Sequence, residues 1–417
     1  GARSRDFVKA LIQLKDSEWD IKIMPQRWGD TPWNFLTQDD PLKQRYIFNL
    51  NENNQPDIWM QITIPNEFQP VGKSLNIGIT AGIETTLFPG EFITGMNKMD
   101  LTLVSSEHSK QVALNSRFEQ KDKNNQSLGS LKLDKPVEVL FEGLDLNKYF
   151  KKPSSCIDIK TSNILKGVDE NFCFLHTGGW LPGILGEDRK NTGLMIKTFL
   201  ETFNGPGKNK PALILKTNHS NYSLLDREEI IKKINLIKQH VKGTLPNIYL
   251  LHGEMTDKEI NLLNNDPKVK AFISFTKGEG FGRPLLEGAI TGKPTIVSNW
   301  SGHIDFIKLD YNLLIGGELK PVHESAANSW LLKESHWFNI NTEVAGKAMK
   351  NLFKHYKDYL NKSRKQTQYI KNNWTFDKMI EKLNGFLPEV KTAPKMQQLK
   401  LPKLNKIKNK INLNELA

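Results

Sequence analysis

One stretch carries more chemistry than the rest of the chain: Ser274-Phe-Thr-Lys-Gly-Glu-Gly-Phe-Gly-Arg-Pro-Leu-Leu-Glu-Gly288. An apolar strand pattern ends at Phe275, and a glycine-rich loop, Gly278 to Gly282, follows it. Pro284 then opens a helix that Gly292 and Pro294 stop. Loop glycines let backbone approach a ligand closely, and the first helical N–H groups are unpaired and partly positive. Together these features suit a phosphate or diphosphate. Two carboxylates flank the loop, Glu279 within it and Glu287 eight positions on. Carboxylates repel phosphate but accept hydrogen bonds from sugar hydroxyls. The local chemistry is that of a phosphate with hydroxyl-bearing rings around it, as in a nucleotide sugar. A strand, a glycine loop and a helix also occur in any doubly wound domain, where Glu287 would be an ordinary helix-surface residue.

The elements that must position this stretch form a regular series. Strands are expected at 172–177, 212–216, 247–251, 269–275 and 294–298, and helices at 192–203, 225–240, 256–263 and 284–290. Strands alternating with helices imply a parallel sheet with right-handed crossovers. The first third mixes short strands with loops. Strands are expected at 20–24, 57–63, 74–80, 100–104 and 136–141, a helix at 89–98, and a helix capped by Ser105 or Ser106. Residues 121–130 are polar and expected to form a mobile loop, and 151–155 an interdomain linker. Beyond the second series come a long basic helix, 344–372, a helical stretch, 374–387, and a lysine-rich tail, 391–417.

Composition narrows the function class. The chain has 417 residues and a net charge of +12, enough for two or three domains with a preference for anionic partners. The two cysteines, Cys156 and Cys173, exclude a disulfide framework and a four-cysteine metal site. No apolar run approaches the roughly 20 residues that span a bilayer, and the first residues lack the apolar core of a signal peptide. A cytoplasmic location is expected, with a membrane-peripheral one as the alternative. The histidines His108, His176, His252 and His303 fall at expected element ends, where structural roles outnumber catalytic ones.

The segment from Glu279 to Glu287 resembles the glutamate–seven residues–glutamate motif of retaining GT-B glycosyltransferases, in particular glycosyltransferase family 4. Gly292-Lys-Pro-Thr-Ile-Val297 and Ser301-Gly-His-Ile-Asp-Phe306 resemble the segments that follow it there. Pro136 to Asp145 resembles the family's interdomain strand. Phe174-Leu-His-Thr-Gly-Gly179 with Arg189-Lys-Asn191 resembles its phosphate loop, lengthened here by Trp180 to Asp188.

The resemblance implies two Rossmann-like, doubly wound α/β domains facing a cleft. These are an acceptor domain at 1–150 and a nucleotide-sugar domain at 151–373, followed by a helix at 374–390 returning to the first domain and a basic tail at 391–417. It implies that Glu279 meets the transferred sugar and Glu287 the ribose. Backbone N–H groups of Gly280, Phe281 and Gly282 would face the diphosphate, and Lys190, with Arg189 or Lys277, would neutralise it. Gly178 and Gly179 would keep the opposing loop close. Lys216 is a further donor candidate, and His252 would lie near the base. Glu84, Thr85 and Thr86 line the expected acceptor site, and Trp28 or Trp33 would stack on a sugar or base there, with core packing as the alternative. No cofactor or metal is implied, and the chain has no Asp-x-Asp. The expected activity is transfer of a hexose or pentose to a glycan or lipid-linked glycan. Two alternatives stay open: glycosylation of hydroxymethylated DNA bases by a phage-type enzyme, and a non-catalytic nucleic-acid-binding protein. The oligomeric state is open.

Overall fold

A computed structural model describes residues 1–26, 36–50, 55–121, 126–152 and 163–388. Trp28 and Trp33, most of the expected linker and the whole basic tail lie outside these residues.

The chain opens with a helix, α1 (Ala2–Lys15), in a stretch for which the sequence reading assigned no element. Its signal is legible afterwards: Phe7, Ala10 and Leu11 recur at helical spacing and are the buried face. The expected strand at 20–24 is reduced to one bridge, Ile23 to Tyr46, because no neighbouring strand extends the pairing. The first sheet comprises β1 (Ile58–Ile62), β2 (Leu75–Ile79), β3 (Leu101–Val104) and β6 (Val137–Val139). All are parallel, in the order β1-β2-β3-β6. Between them lie α2 (Gly90–Met96) and α3 (Glu107–Asn115), the latter capped by Ser106, whose hydroxyl accepts from the Ser109 N–H. Of the segment expected as a mobile loop, residues 122–125 lie outside the described residues, while Lys121 ends β4 (Phe118–Lys121) and Ser127 opens the antiparallel β5 (Ser127–Leu131). Backbone pairing, which polarity does not reveal, makes strands of those two flanks.

The second half follows the expected alternation: β7 (Cys173–Thr177), α4 (Thr192–Thr202), β8 (Ala212–Lys216), α5 (Leu224–Gln239), β9 (Ile248–Leu251), α6 (Asp257–Asn265), β10 (Val269–Ser274), α7 (Arg283–Ala289) and β11 (Thr295–Ser298). A short β12 (Leu313–Ile315) completes a six-stranded parallel sheet in the order β12-β11-β10-β7-β8-β9. The chain starts at β7, winds outward to β9, then returns to β10 on the other side. That reversal makes a crevice beyond the carboxyl ends of β7 and β10, where ligands bind in open α/β sheets. β7 and β8 read as apolar runs because both sheet faces are covered. Phe174, Met195, Ile196, Phe199, Leu213, Leu215 and Ile273 are almost fully enclosed beneath α4 and α5. Each such side chain contributes about 1.5–3 kcal/mol.

A pair not expected from sequence, β13 (Gly317–Pro321) with antiparallel β14 (His336–Ile340), precedes the last helices. The expected long helix is two, α8 (Thr342–Lys354) and α9 (Tyr356–Asn373), broken where His355 leaves helical geometry (φ −118°, ψ 34°). The last helix, α10 (Phe376–Asn384), packs on α1, with Leu144 paired to the strand-like turn at Thr375. One apolar cluster joins α1, the first sheet, α7 and α10 through Phe7, Ile77, Leu286, Ile370, Met379 and Leu383. The two halves therefore share a core. Among the described residues no helix is long and apolar enough to cross a membrane.

Candidate functional site

The expected site residues divide between the carboxyl ends of the second sheet and the loops of the first that face them. Glu279 follows β10 and is 7% exposed. Its carboxylate accepts from Lys190 Nζ at 2.5 Å and lies 3.7 Å from Arg189 Nη1. Burial alone would raise this carboxyl's pKa, but the two cations overcome it and hold the group down at about 2. It is an anion at any working pH. Its backbone is pinned as well. The Glu279 N–H donates to Ser301 Oγ at 2.9 Å, and the Gly302 N–H donates to the Glu279 carbonyl. Ser301 does this from φ 79°, a conformation a non-glycine residue adopts only when its surroundings impose it.

Arg189 also donates to the Gly278 carbonyl at 3.0 Å and pairs with Glu84 of the first sheet's loop at 3.3 Å. Gly178 lies along Lys190: a Cβ there would sit 3.8 Å from Lys190 Cδ, and its N–H donates to the Lys216 carbonyl. The structure thus brings Glu279, Lys190, Arg189, Gly178 and Glu84 together at the β7/β10 crevice. The backbone N–H groups of Gly280, Phe281 and Gly282 donate to no protein acceptor among the described residues. Three adjacent free donors beside two cations are what an anionic group needs.

The glycines have a second role that the sequence did not disclose. A Cβ at Gly278 would meet the Glu84 carbonyl at 1.8 Å, and one at Gly280 the Ala81 carbonyl at 2.3 Å. The glycine loop is therefore seated against the first sheet's loop 81–84, and Ser105 Oγ donates to the Gly280 carbonyl across the same seam. Nearby, the Glu107 N–H at the start of α3 donates to Asp305, and Thr86 exchanges two hydrogen bonds with His336. Thr85 is fully buried, its hydroxyl directed to the Leu87 carbonyl, so it does not present an acceptor-facing group.

Other candidates fall elsewhere. Lys277 was a candidate for neutralising phosphate. It is fully buried instead, held by Glu187 and Asn339 with its ammonium 4.8 Å from the Trp337 ring centre. The strand–loop turn directs it toward Trp337 and Asn339 of β14. Glu287 is buried on α7 and receives Arg283 Nε at 2.9 Å; burial pushes its carboxyl up to about 7 against the pull of that guanidinium. Lys216 donates to the Gly253 carbonyl, and His252 Nε2 lies 2.8 Å from Asp226 Oδ2 at the ends of β8 and β9. Gly179 is unstrained and only loosely packed. His176 and His303 are buried, with one ring nitrogen each on a backbone carbonyl, and burial lowers both. Burial likewise lowers His108, to about 4, against the edge of Trp300.

Sequence reasoning missed four residues that organise the site. Asp188, from the lengthened loop, accepts from the Thr192 N–H at 3.2 Å, so the N-terminus of α4 already holds an internal carboxylate. Asp226 accepts from the N–H groups of His219, Ser220 and Asn221 and shapes the loop after β8. The pattern Ser223-Leu-Leu-Asp226 at a helix start was its available signal. Ser301 and Arg283 lay inside quoted motifs, but their partners are distant in sequence.

No family model and no curated protein matches this sequence. Solved structures match in fold. HepE of Anabaena, in complex with UDP and glucose, is 12% identical over 76% of this chain and 72% of its own, with a TM-score of 0.50. Sucrose-phosphate synthase of Thermosynechococcus elongatus is 8% identical over 91% and 90%, with a TM-score of 0.55. A glycosyltransferase of Rickettsia africae ESF-5 is 13% identical over 82% and 83%, with a TM-score of 0.54. The architecture shared with them is GT-B, with a parallel sheet in each half.

Proposed function

We propose that this chain is a retaining glycosyltransferase of the family 4 type, moving a hexose or pentose from a nucleotide-diphosphate sugar to a hydroxyl acceptor. The observation that carries this reading is the convergence on Glu279. A carboxylate held ionised by Lys190 and Arg189 sits at the switch point of the second sheet, beside three unpaired loop N–H groups. The free donors and the cations receive the diphosphate. Glu279 orients the sugar and stabilises positive charge at its anomeric carbon. The bond from that carbon to the phosphate oxygen breaks while the acceptor oxygen attacks the same face. The acceptor proton passes to the departing diphosphate. Lys190 and Arg189 balance the leaving charge electrostatically, often the largest catalytic contribution. Glu287 accepts from the ribose, and the base lies toward His252 and Lys216. Glu84 borders the acceptor side.

The acceptor is a glycan or lipid-linked glycan. A polyanionic acceptor such as hydroxymethylated DNA is the second reading, favoured by the exposed cations of α9. The test is a screen of UDP-, GDP- and ADP-sugars against both acceptor classes, with and without EDTA. Transfer that keeps the anomeric configuration, persists in EDTA and falls by about 10²–10³ in Glu279→Ala is the expected result. A Glu279→Ala chain transferring at the wild-type rate would falsify the assignment.

A further inference from the structure

Arg283 stands at a junction that the donor reading does not use. It is the first residue of α7, and its guanidinium reaches three carboxylates from three elements. Nε contacts Glu287 on α7 at 2.9 Å. Nη1 contacts Asp6 on α1 at 2.8 Å, and Glu142, just after β6, lies 3.6 Å away. All four side chains are at most 17% exposed. One cation thus joins the first helix, the end of the first sheet and the carboxylate proposed for ribose.

We propose that Arg283 is a positioning residue, which presents the Glu287 carboxylate to the ribose of the donor and ties that recognition to α1 and the first sheet through Asp6 and Glu142. The inference rests on the reading of Glu287 as the ribose acceptor. Its physics is a competition. Besides Arg283, the charged groups facing Glu287 are Asp257 on α6 and Glu142; Tyr149 is close too and donates to Asp257, which Lys148 also pairs with. Arg5 on α1 adds positive charge near Asp6 and Arg283. Burial and the two neighbouring carboxylates favour protonated Glu287, and only Arg283 on its own helix opposes them. The ionised carboxylate accepts from a ribose hydroxyl more strongly than the protonated acid does, so affinity should rise with pH as Glu287 ionises.

The test is calorimetric titration of the full chain with UDP-glucose and GDP-mannose from pH 5.5 to 8.5. The diphosphate of a sugar nucleotide does not titrate in that range. Wild-type affinity should rise with a midpoint near 7. In Arg283→Met the midpoint should move up by about one unit, with about tenfold weaker binding at neutral pH. Arg283→Lys should stay near wild type. Glu142→Gln, which removes a like charge and preserves shape, should move the midpoint down. A purely structural Arg283 would lower melting temperature but leave the midpoint fixed in all variants, and that outcome overturns the proposal. So does a midpoint that persists in Glu287→Gln. If the wild-type chain binds several sugar nucleotides with no pH dependence, this inference fails and the donor reading stands; if it binds none, both fall.

Discussion

At the scale of single residues, the Lys190–Glu279 pair is where physics is most constraining. Both side chains are largely buried, so neither ion is screened as a surface pair would be. Glu279 titrates lower in the folded chain than in the unfolded one. Its contribution is therefore complete above the unfolded value, roughly pH 4.3, and is lost as pH falls through about 2. In Lys190→Met the carboxylate stays buried beside Arg189 alone. We expect that variant to lose about 3 kcal/mol at pH 7, on the order of the shift itself. Urea unfolding at a series of pH values measures this: the gap to wild type should close between pH 5 and pH 2, and a constant gap would show that packing, not charge, is lost. The candidates Glu279, Lys190 and Arg189 were legible because the loop motif and the Arg189-Lys190 pair are local in sequence. Lys277 was misjudged for a physical reason. Its charge is visible in the sequence, but the Trp337 ring that covers it lies 60 positions away on β14.

At the scale of elements, the glycine loop works as a seat as much as a cradle. Gly278 and Gly280 meet the carbonyls of Glu84 and Ala81 so closely that a methyl group has no room. Gly278→Ala and Gly280→Ala should each force the two loops apart, at about 1–3 kcal/mol. X-ray scattering should register a larger radius of gyration and activity should fall, whereas an unchanged radius with intact activity would mean that the seam is not held closed by these contacts. The helix–strand alternation from β7 to β11 was legible, because enclosed parallel strands and amphipathic helices differ in period. The β4–β5 hairpin, β12 and the β13–β14 pair were not, because strands of three to five residues depend on a partner rather than on their own pattern. The break between α8 and α9 at His355 was missed likewise, since no proline or glycine marks it.

At the scale of the whole molecule, charge is unevenly spread. On α9, Lys357, Lys362, Arg364, Lys365 and Lys371 are exposed and face a single acid of the same helix, Asp358. If this face meets a polyanion, Lys362→Glu with Lys365→Glu should weaken binding to duplex DNA or to anionic vesicles and flatten its salt dependence by about two phosphate contacts, without altering the fold. Equal salt slopes for variant and wild type would assign the basic balance to solubility. By itself the sequence determined the α/β class, the succession of strands and helices from β7 to β11 and the position of the loop bearing Glu279, because period, glycine placement and local motifs are short-range properties. Tertiary structure alone decided which cations reach Glu279, that Gly278 and Gly280 serve the contact between the halves, and that α1 and α10 close one core around Arg283. Those outcomes depend on residues far apart in the chain, such as Asp6 and Arg283, 277 positions from one another, and no short window along the chain contains both partners.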